Sequence, residues 1–180
     1  MTAPVGAKQP NRWVLGARPR TLPAAVVPVF VGTACAFGYA DTAAVMDSEP
    51  PQYIWTRGFA AINWCLFVLA MIVALALQVA TNYANDYSDG KRGTDDPTKR
   101  VGPPRLVGNG LATAAEVKRA MILAFGVAGV AGAILAWFVG WELIPVGIAA
   151  VAAGYFYTGG PTPYGYLGLG EAFVFVFFGV

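Results

Sequence analysis

The sequence has no histidine, only two cysteines, and charged side chains at just 12% of its 180 positions. Without histidine, imidazole acid–base catalysis and His-ligated zinc, copper or haem are excluded. Cys35 and Cys65 each fall inside an apolar run, where a small core residue accounts for them better than a disulfide or a metal pair. A metal bound by this chain therefore takes oxygen ligands, which is magnesium chemistry. A soluble domain of this length carries about a quarter charged residues. With 57% hydrophobic residues and a mean hydropathy of +0.56, the chain reads as an integral membrane protein. Its net charge is only +2, and no nucleic-acid module is visible, so nucleic acid is not an expected partner.

Long apolar runs take the place of the missing charge. The first goes from Thr21 to about Ala40, after a basic, acid-free start that holds Lys8, Arg12, Arg18 and Arg20. Its length, with Pro23 and Pro28 inside it, favours a retained membrane helix over a cleaved signal. A loop is expected over residues 41–57. A second run follows from about Gly58 to Tyr83, with Trp55 and Trp64 as interfacial anchors. Residues 86–118 read as a long polar segment. A third span covers about Ala120–Val139 and a fourth Leu143 to about Tyr157. A Gly- and Pro-rich turn then runs from Thr158 to Tyr166, and a fifth apolar segment opens near Leu167. The expected fold is all-α, a polytopic transmembrane helix bundle forming one domain over residues 1–180. Gly126, Gly129 and Gly132 on the third helix are expected to let helices approach closely.

Positive charge sets the expected orientation. Residues 1–20 hold four Lys and Arg and residues 86–119 hold seven, whereas residues 41–57 hold only Arg57. The N-terminus and the 86–119 loop are therefore expected in the cytoplasm, with the 158–166 turn on the same side of a cell (plasma) membrane.

The second run ends in Asn82-Tyr83-Ala84-Asn85-Asp86-Tyr87-Ser88-Asp89. On a helix, Asn82, Asn85, Asp86 and Asp89 share one face. They also lie at the C-terminal end, where the macrodipole disfavours carboxylates, so a cation is expected nearby. Lys91, Arg92, Lys99, Arg100 and Arg105 supply part of that charge, and a divalent metal would supply the rest. Acids at a membrane surface with basic residues beyond them suit a metal-bridged diphosphate. Magnesium takes one or two protein carboxylates beside phosphate oxygens. Asp86 and Asp89 meet that need, with Asn82 and Asn85 as neutral partners. Breaking a prenyl–diphosphate bond gathers negative charge on the leaving group, which magnesium and Arg or Lys clamps stabilise. The allyl cation left behind needs aromatic faces and a dry site, for which Tyr155, Phe156 and Tyr157 are candidates. The plainer reading of the same acids is a solvated loop beyond a membrane helix. Asp95 and Asp96, before Pro97, fit a turn equally well.

These stretches resemble the UbiA superfamily of intramembrane prenyltransferases, in particular its branch acting on 1,4-dihydroxy-2-naphthoate. Three segments carry the resemblance: Arg18-Pro19-Arg20-Thr21-Leu22-Pro23; Asn85-Asp86-Tyr87-Ser88-Asp89 with Gly93, Asp95 and Gly102-Pro103-Pro104-Arg105; and Tyr157-Thr158-Gly159-Gly160-Pro161 with Tyr164 to Glu171. The resemblance implies metal–diphosphate binding by Asn85, Asp86 and Asp89, with Asp95 as a further metal contributor and magnesium as cofactor. Lys91 and Arg105 would contact phosphate, and Tyr157 and Thr158 would line the diphosphate or acceptor side. Arg20 either faces the same cavity or anchors its helix. Glu171, at or just inside the fifth helix, would need a partner if buried. The implied reaction joins a polyprenyl group to 1,4-dihydroxy-2-naphthoate, with loss of carbon dioxide and of diphosphate, at the lipid bilayer. Members of the superfamily have roughly nine membrane helices, of which about five are expected here. A second aspartate-rich motif is not found in this sequence, so either a C-terminal half beyond this partial sequence or a second polypeptide is expected to complete the site, the chain corresponding to about the first three-fifths of a member. Two alternatives stay open: a prenyltransferase with another acceptor, and a transporter subunit with Asp86 and Asp89 as cation ligands, which would need acids at the membrane midplane.

Overall fold

The computed structural model describes residues 11–46, 62–94 and 104–176, with no account of the side chains of 37–46 or 174. Asp95, Lys99 and Arg100 lie outside the described residues. The described elements are all helical: α1 (Arg12–Ala17), α2 (Pro23–Met46), α3 (Trp64–Arg92), α4 (Ala114–Val139), α5 (Leu143–Phe156) and α6 (Gly170–Val174), with short 3-10 turns at Pro19–Thr21 and Tyr164–Leu167. The protein is an all-α, polytopic membrane protein. Two helices, α3 and α4, are long and apolar enough to cross a bilayer, and the pair from Arg12 to Ala36, bent by 49°, makes a third.

Helix α3 is the organising element, with α1, α2, α4 and α5 all packed against it. It begins where the Asn63 side chain accepts the amides of Cys65 and Leu66 at 3.1 and 3.3 Å, satisfying two donors that a helix start leaves open. It ends at Gly93, whose φ of 71° is the left-handed conformation that glycine adopts without penalty. Between them lie 29 residues, about 43 Å of helix at 1.5 Å per residue. A hydrocarbon core is about 30 Å thick. The helix therefore carries its last turns, and the acidic motif with them, out of the apolar layer.

Helix α4 starts at Ala114, earlier than its hydropathy suggests. A capping box explains this: the Thr113 hydroxyl accepts the Glu116 amide at 3.2 Å, and the Glu116 carboxylate accepts the Thr113 amide at 2.8 Å. Its buried positions are Val117, Met121, Ala128, Ala131 and Ala136. Gly126 and Gly129, expected at the helix contact, instead have open space where a Cβ would stand, and only Gly132 comes near α3, at Val73. A turn of 100° per residue puts the alanines on the inner face and these two glycines on the outer one.

Two boundaries differ from expectation. Helix α2 continues to Met46, past Asp41, because Ala43 and Ala44 sustain helix. Helix α5 keeps its expected bounds, and its 14 residues, about 21 Å, fall short of a full span because the polar turn at Thr158 ends it. The fifth segment becomes helical at Gly170 and is described only to Val176.

The core lies at the polar end of the bundle: Tyr83, Ala84, Leu106, Ala112, Val117 and Met121 are buried together. Gly16 belongs to this contact, since a Cβ there would stand 2.6 Å from Leu106 and 2.7 Å from Tyr83. Farther along the spans, Ile122, Leu123, Val130, Trp137 and Phe138 are exposed, as suits side chains facing lipid tails.

Candidate functional site: the polar end of α3

The four motif residues share a face of α3 and are all buried: Asn82, Asn85, Asp86 and Asp89. Each holds a different part of the chain. Asn82 Nδ2 donates to the Ala17 carbonyl and to Thr21 Oγ1, both at 2.9 Å, so it ties α3 to the bend before α2. Asp86, only 1% exposed, accepts the backbone amides of Leu106 (2.8 Å) and Val107 (3.0 Å), one on each carboxylate oxygen. Asn85 Oδ1 accepts Thr158 Oγ1 at 2.8 Å. Asp89 is paired with Arg105 at 3.1 Å, both side chains being under a tenth exposed. Its other oxygen accepts the Tyr166 hydroxyl at 2.5 Å.

Two residues complete the site: Arg92, expected only as part of the basic charge beyond the acids, and Tyr166, expected only within the Tyr164–Glu171 segment. Arg92 donates to the carbonyls of Thr158 and Gly160, and its guanidinium lies 5.7 Å from the centre of the Tyr166 ring. Asn85, Asp89 and Arg92 are spaced i, i+4, i+7, and that periodicity was the available signal. Tyr166 gave no signal of its own, because its partner lies 77 residues away. Burial, and then the bond to Asp89, raise its phenol above the ordinary value of 10.0, so at neutral pH it remains a proton donor.

Asn85, Asp89, Arg105 and Thr158, each a separate candidate from the sequence, are brought together. Others stand apart: Lys91 and Arg20 are exposed. Tyr157 is half-buried beside the site, where its carbonyl accepts the Gly165 amide at 2.9 Å. It lines a cavity of about 590 Å³ with Gly165, Gly168, Gly170, Glu171 and Phe175. Glu171, which would need a partner if buried, is exposed on the rim of that cavity.

Among the described residues no three of Asp, Glu, Cys and His cluster as a metal cage. The donors nonetheless fit a magnesium ion that shares its shell with phosphate, because such an ion needs one or two carboxylates and keeps the remaining positions for phosphate oxygens and water. Asp89, with the neutral oxygen of Asn85 one turn away, is that kind of donor set. Asp86 is less suited, being sealed under the 105–107 turn with a backbone amide on each oxygen.

Residues 53–180 match the UbiA prenyltransferase family. Over 168 residues the chain is 47% identical to a 1,4-dihydroxy-2-naphthoate octaprenyltransferase of Mycobacterium tuberculosis, covering 93% of this chain and 50% of that protein. It is 40% identical to the Escherichia coli protein of the same name, over 93% of this chain and 49% of that one. For the Bacillus subtilis protein of that name the identity is 31%, over 87% and 43%. No solved structure matches the chain significantly. The chain spans about half the length of these relatives, rather than the three-fifths expected. A polar helix end of this make-up on a membrane bundle, together with a family match over most of the sequence, places the chain in the UbiA prenyltransferase family.

Proposed function

We propose that this chain contributes the diphosphate-binding part of a membrane prenyltransferase that transfers a polyprenyl group to 1,4-dihydroxy-2-naphthoate. The observation that carries the reading is the convergence at the end of α3: the Asp89 carboxylate, the guanidinium groups of Arg105 and Arg92, and the hydroxyls of Thr158 and Tyr166. The names of the relatives supply the acceptor. In the reaction the bond between the prenyl carbon and the diphosphate oxygen breaks. The electron-rich ring carbon bonds to the prenyl carbon, the ring carbon–carboxylate bond breaks with its electron pair restoring aromaticity, and carbon dioxide and diphosphate leave.

Magnesium, held through Asp89 with Asn85 and, we propose, Asp95, would neutralise charge on the diphosphate. Arg105 sits on the same carboxylate and is placed to exchange its partner for a phosphate oxygen, since a guanidinium matches carboxylate and phosphate alike. Arg92 keeps the 158–160 turn against α3 through two carbonyls, so that the Thr158 hydroxyl stays on Asn85. Lys91, exposed one turn below Tyr87, adds positive charge at the mouth. The excess of Lys and Arg in the first 20 residues and in 86–119 supports a cytoplasmic site in the plasma membrane. A prenyl tail would lie along the apolar spans, and the cavity beside Tyr157 and Glu171 offers room for a flat aromatic acceptor.

The test uses membranes holding the full-length protein, supplied with prenyl diphosphate, naphthoate and magnesium. Prenylated, decarboxylated product is expected, and chelating the metal should abolish it. Absence of product from active membranes, or product formation indifferent to chelation, contradicts the reading.

A further inference from the structure

We infer that Asp86 is a positioning residue and not a metal ligand: it fixes the 105–107 turn on α3 so that Arg105 is presented to Asp89. The inference rests on the proposed diphosphate site for what the positioning serves, and on geometry alone for the anchoring itself.

Three observations carry it. First, the two Asp86 oxygens accept two consecutive amides, Leu106 at 2.8 Å and Val107 at 3.0 Å. A carboxylate that receives adjacent backbone N–H groups acts as a clip on that stretch of chain. Second, Asp86 is 1% exposed and Leu106 is fully buried over it, so an ion would have to displace the turn to reach the carboxylate. Third, the same face of α3 is relieved four residues later. A Cβ on Gly90 would stand 2.5 Å from Val107 Cβ and Cγ1, so a bare glycine is needed for the turn to lie down where Asp86 clips it. The residue immediately before the clipped pair is Arg105, and its Nη2 reaches Asp89 Oδ2 at 3.1 Å. Asp86 and Asp89, three residues apart and similar on paper, thus divide the work. One orients the arginine and the other meets it.

The turn is also pinned from its far side. The Leu111 and Ala112 amides donate to the Leu106 carbonyl at 2.8 and 3.1 Å, and Arg12 holds the Leu111 carbonyl at 3.1 Å. Removing Asp86 should therefore loosen the Arg105 end of the turn without unfolding the loop.

The test measures amide hydrogen exchange in the metal-free, full-length protein in lipid nanodiscs, beside steady-state kinetics. Asp86→Asn leaves one acceptor where there were two. It should speed exchange across Leu106–Val107 by about tenfold or more, whereas Arg105→Ala should leave those amides protected. In kinetics, Asp86→Asn should lower kcat with the half-saturating magnesium concentration unchanged within about twofold, whereas Asp89→Asn should raise that concentration by about tenfold or more. The double variant Asp86→Asn with Arg105→Ala should be no slower than Arg105→Ala alone, because residues acting through one another are not additive. If Asp86→Asn fails to accumulate, Gly90→Ala lifts the same turn from the other side and should give the same pattern of faster exchange and unchanged magnesium demand. Unchanged exchange in both variants overturns the inference. So does a magnesium shift in Asp86→Asn equal to that of Asp89→Asn, or full additivity in the double variant. The exchange measurement needs no substrate, so failure of the prenyl-transfer reading would show separately, as a wild-type protein without product.

Discussion

The two halves of α3 are built on opposite rules. From Trp64 to Val79 its side chains are apolar apart from Gln78, and none is buried: most are half-covered, with Trp64 50% and Val68 52% exposed. From Ala80 to Asp89 it is mostly polar, and its inward positions are buried. In water this arrangement would be inside out. In a bilayer the apolar half needs no covering, since lipid tails solvate it as well as protein does, and tight packing is required only where polar groups must find each other. The structural specificity of the described residues is therefore concentrated at one end, in hydrogen bonds to carboxylates and amides, and the function proposed for the chain lies in the same place.

If that contrast is right, substitutions should be graded by which half they strike. The largest effect is expected from Asp89→Asn, which removes the charge opposite Arg105 and the proposed metal donor. Turnover in the full-length protein should fall by about a hundredfold or more, and a fall of less than about threefold would break the contrast at its strongest point. Next comes Arg105→Ala, which leaves Asp89 buried without its partner. A buried pair broken from one side costs about 3–5 kcal/mol, to be read as lost stability in denaturant titration in detergent micelles. Third is Gly16→Ala, which brings a Cβ into Leu106 and Tyr83. Overpacking of that kind costs about 1–3 kcal/mol, and an unchanged midpoint would show that the α1 contact is looser than described. Tyr166→Phe should be milder, a loss of about tenfold or less in turnover from one hydrogen bond. Since the phenol is raised above its ordinary value of 10.0, the wild type should show no Tyr166-dependent pH step at or below neutral pH. The smallest effect belongs to the other half of the contrast. Leu123→Ala, at a residue 72% exposed, should change stability by about 0.5 kcal/mol or less.

Much of this was legible in the sequence. Missing charge and long apolar runs led to a helical membrane protein. The i, i+3, i+4, i+7 spacing of Asn82, Asn85, Asp86 and Asp89 put them on one buried face. Periodicity within one helix gives no information about what each residue meets across it. Asp86 and Asp89 look equivalent in the chain, yet one meets amides 20 and 21 residues on and the other meets Arg105 and Tyr166. Asn82 turns out to hold the bend before α2 and takes no part in the Asp89 cluster. Arg92 was visible as a basic residue, but its two carbonyl partners lie in a turn 66 and 68 residues away. The glycines of α4 misled for a related reason: small residues permit close approach on whichever face they occupy, and only the helix phase decides that Ala128 and Ala131 are the ones inside.

The central claim is that the polar end of α3 grips a diphosphate. Equilibrium binding of a non-ionising prenyl diphosphate analogue to the full-length protein, with and without magnesium, addresses it most directly. The account predicts magnesium-dependent binding by the wild type and by Leu123→Ala, and its loss in Asp89→Asn. Equal binding by all three proteins, or binding indifferent to magnesium, would contradict it.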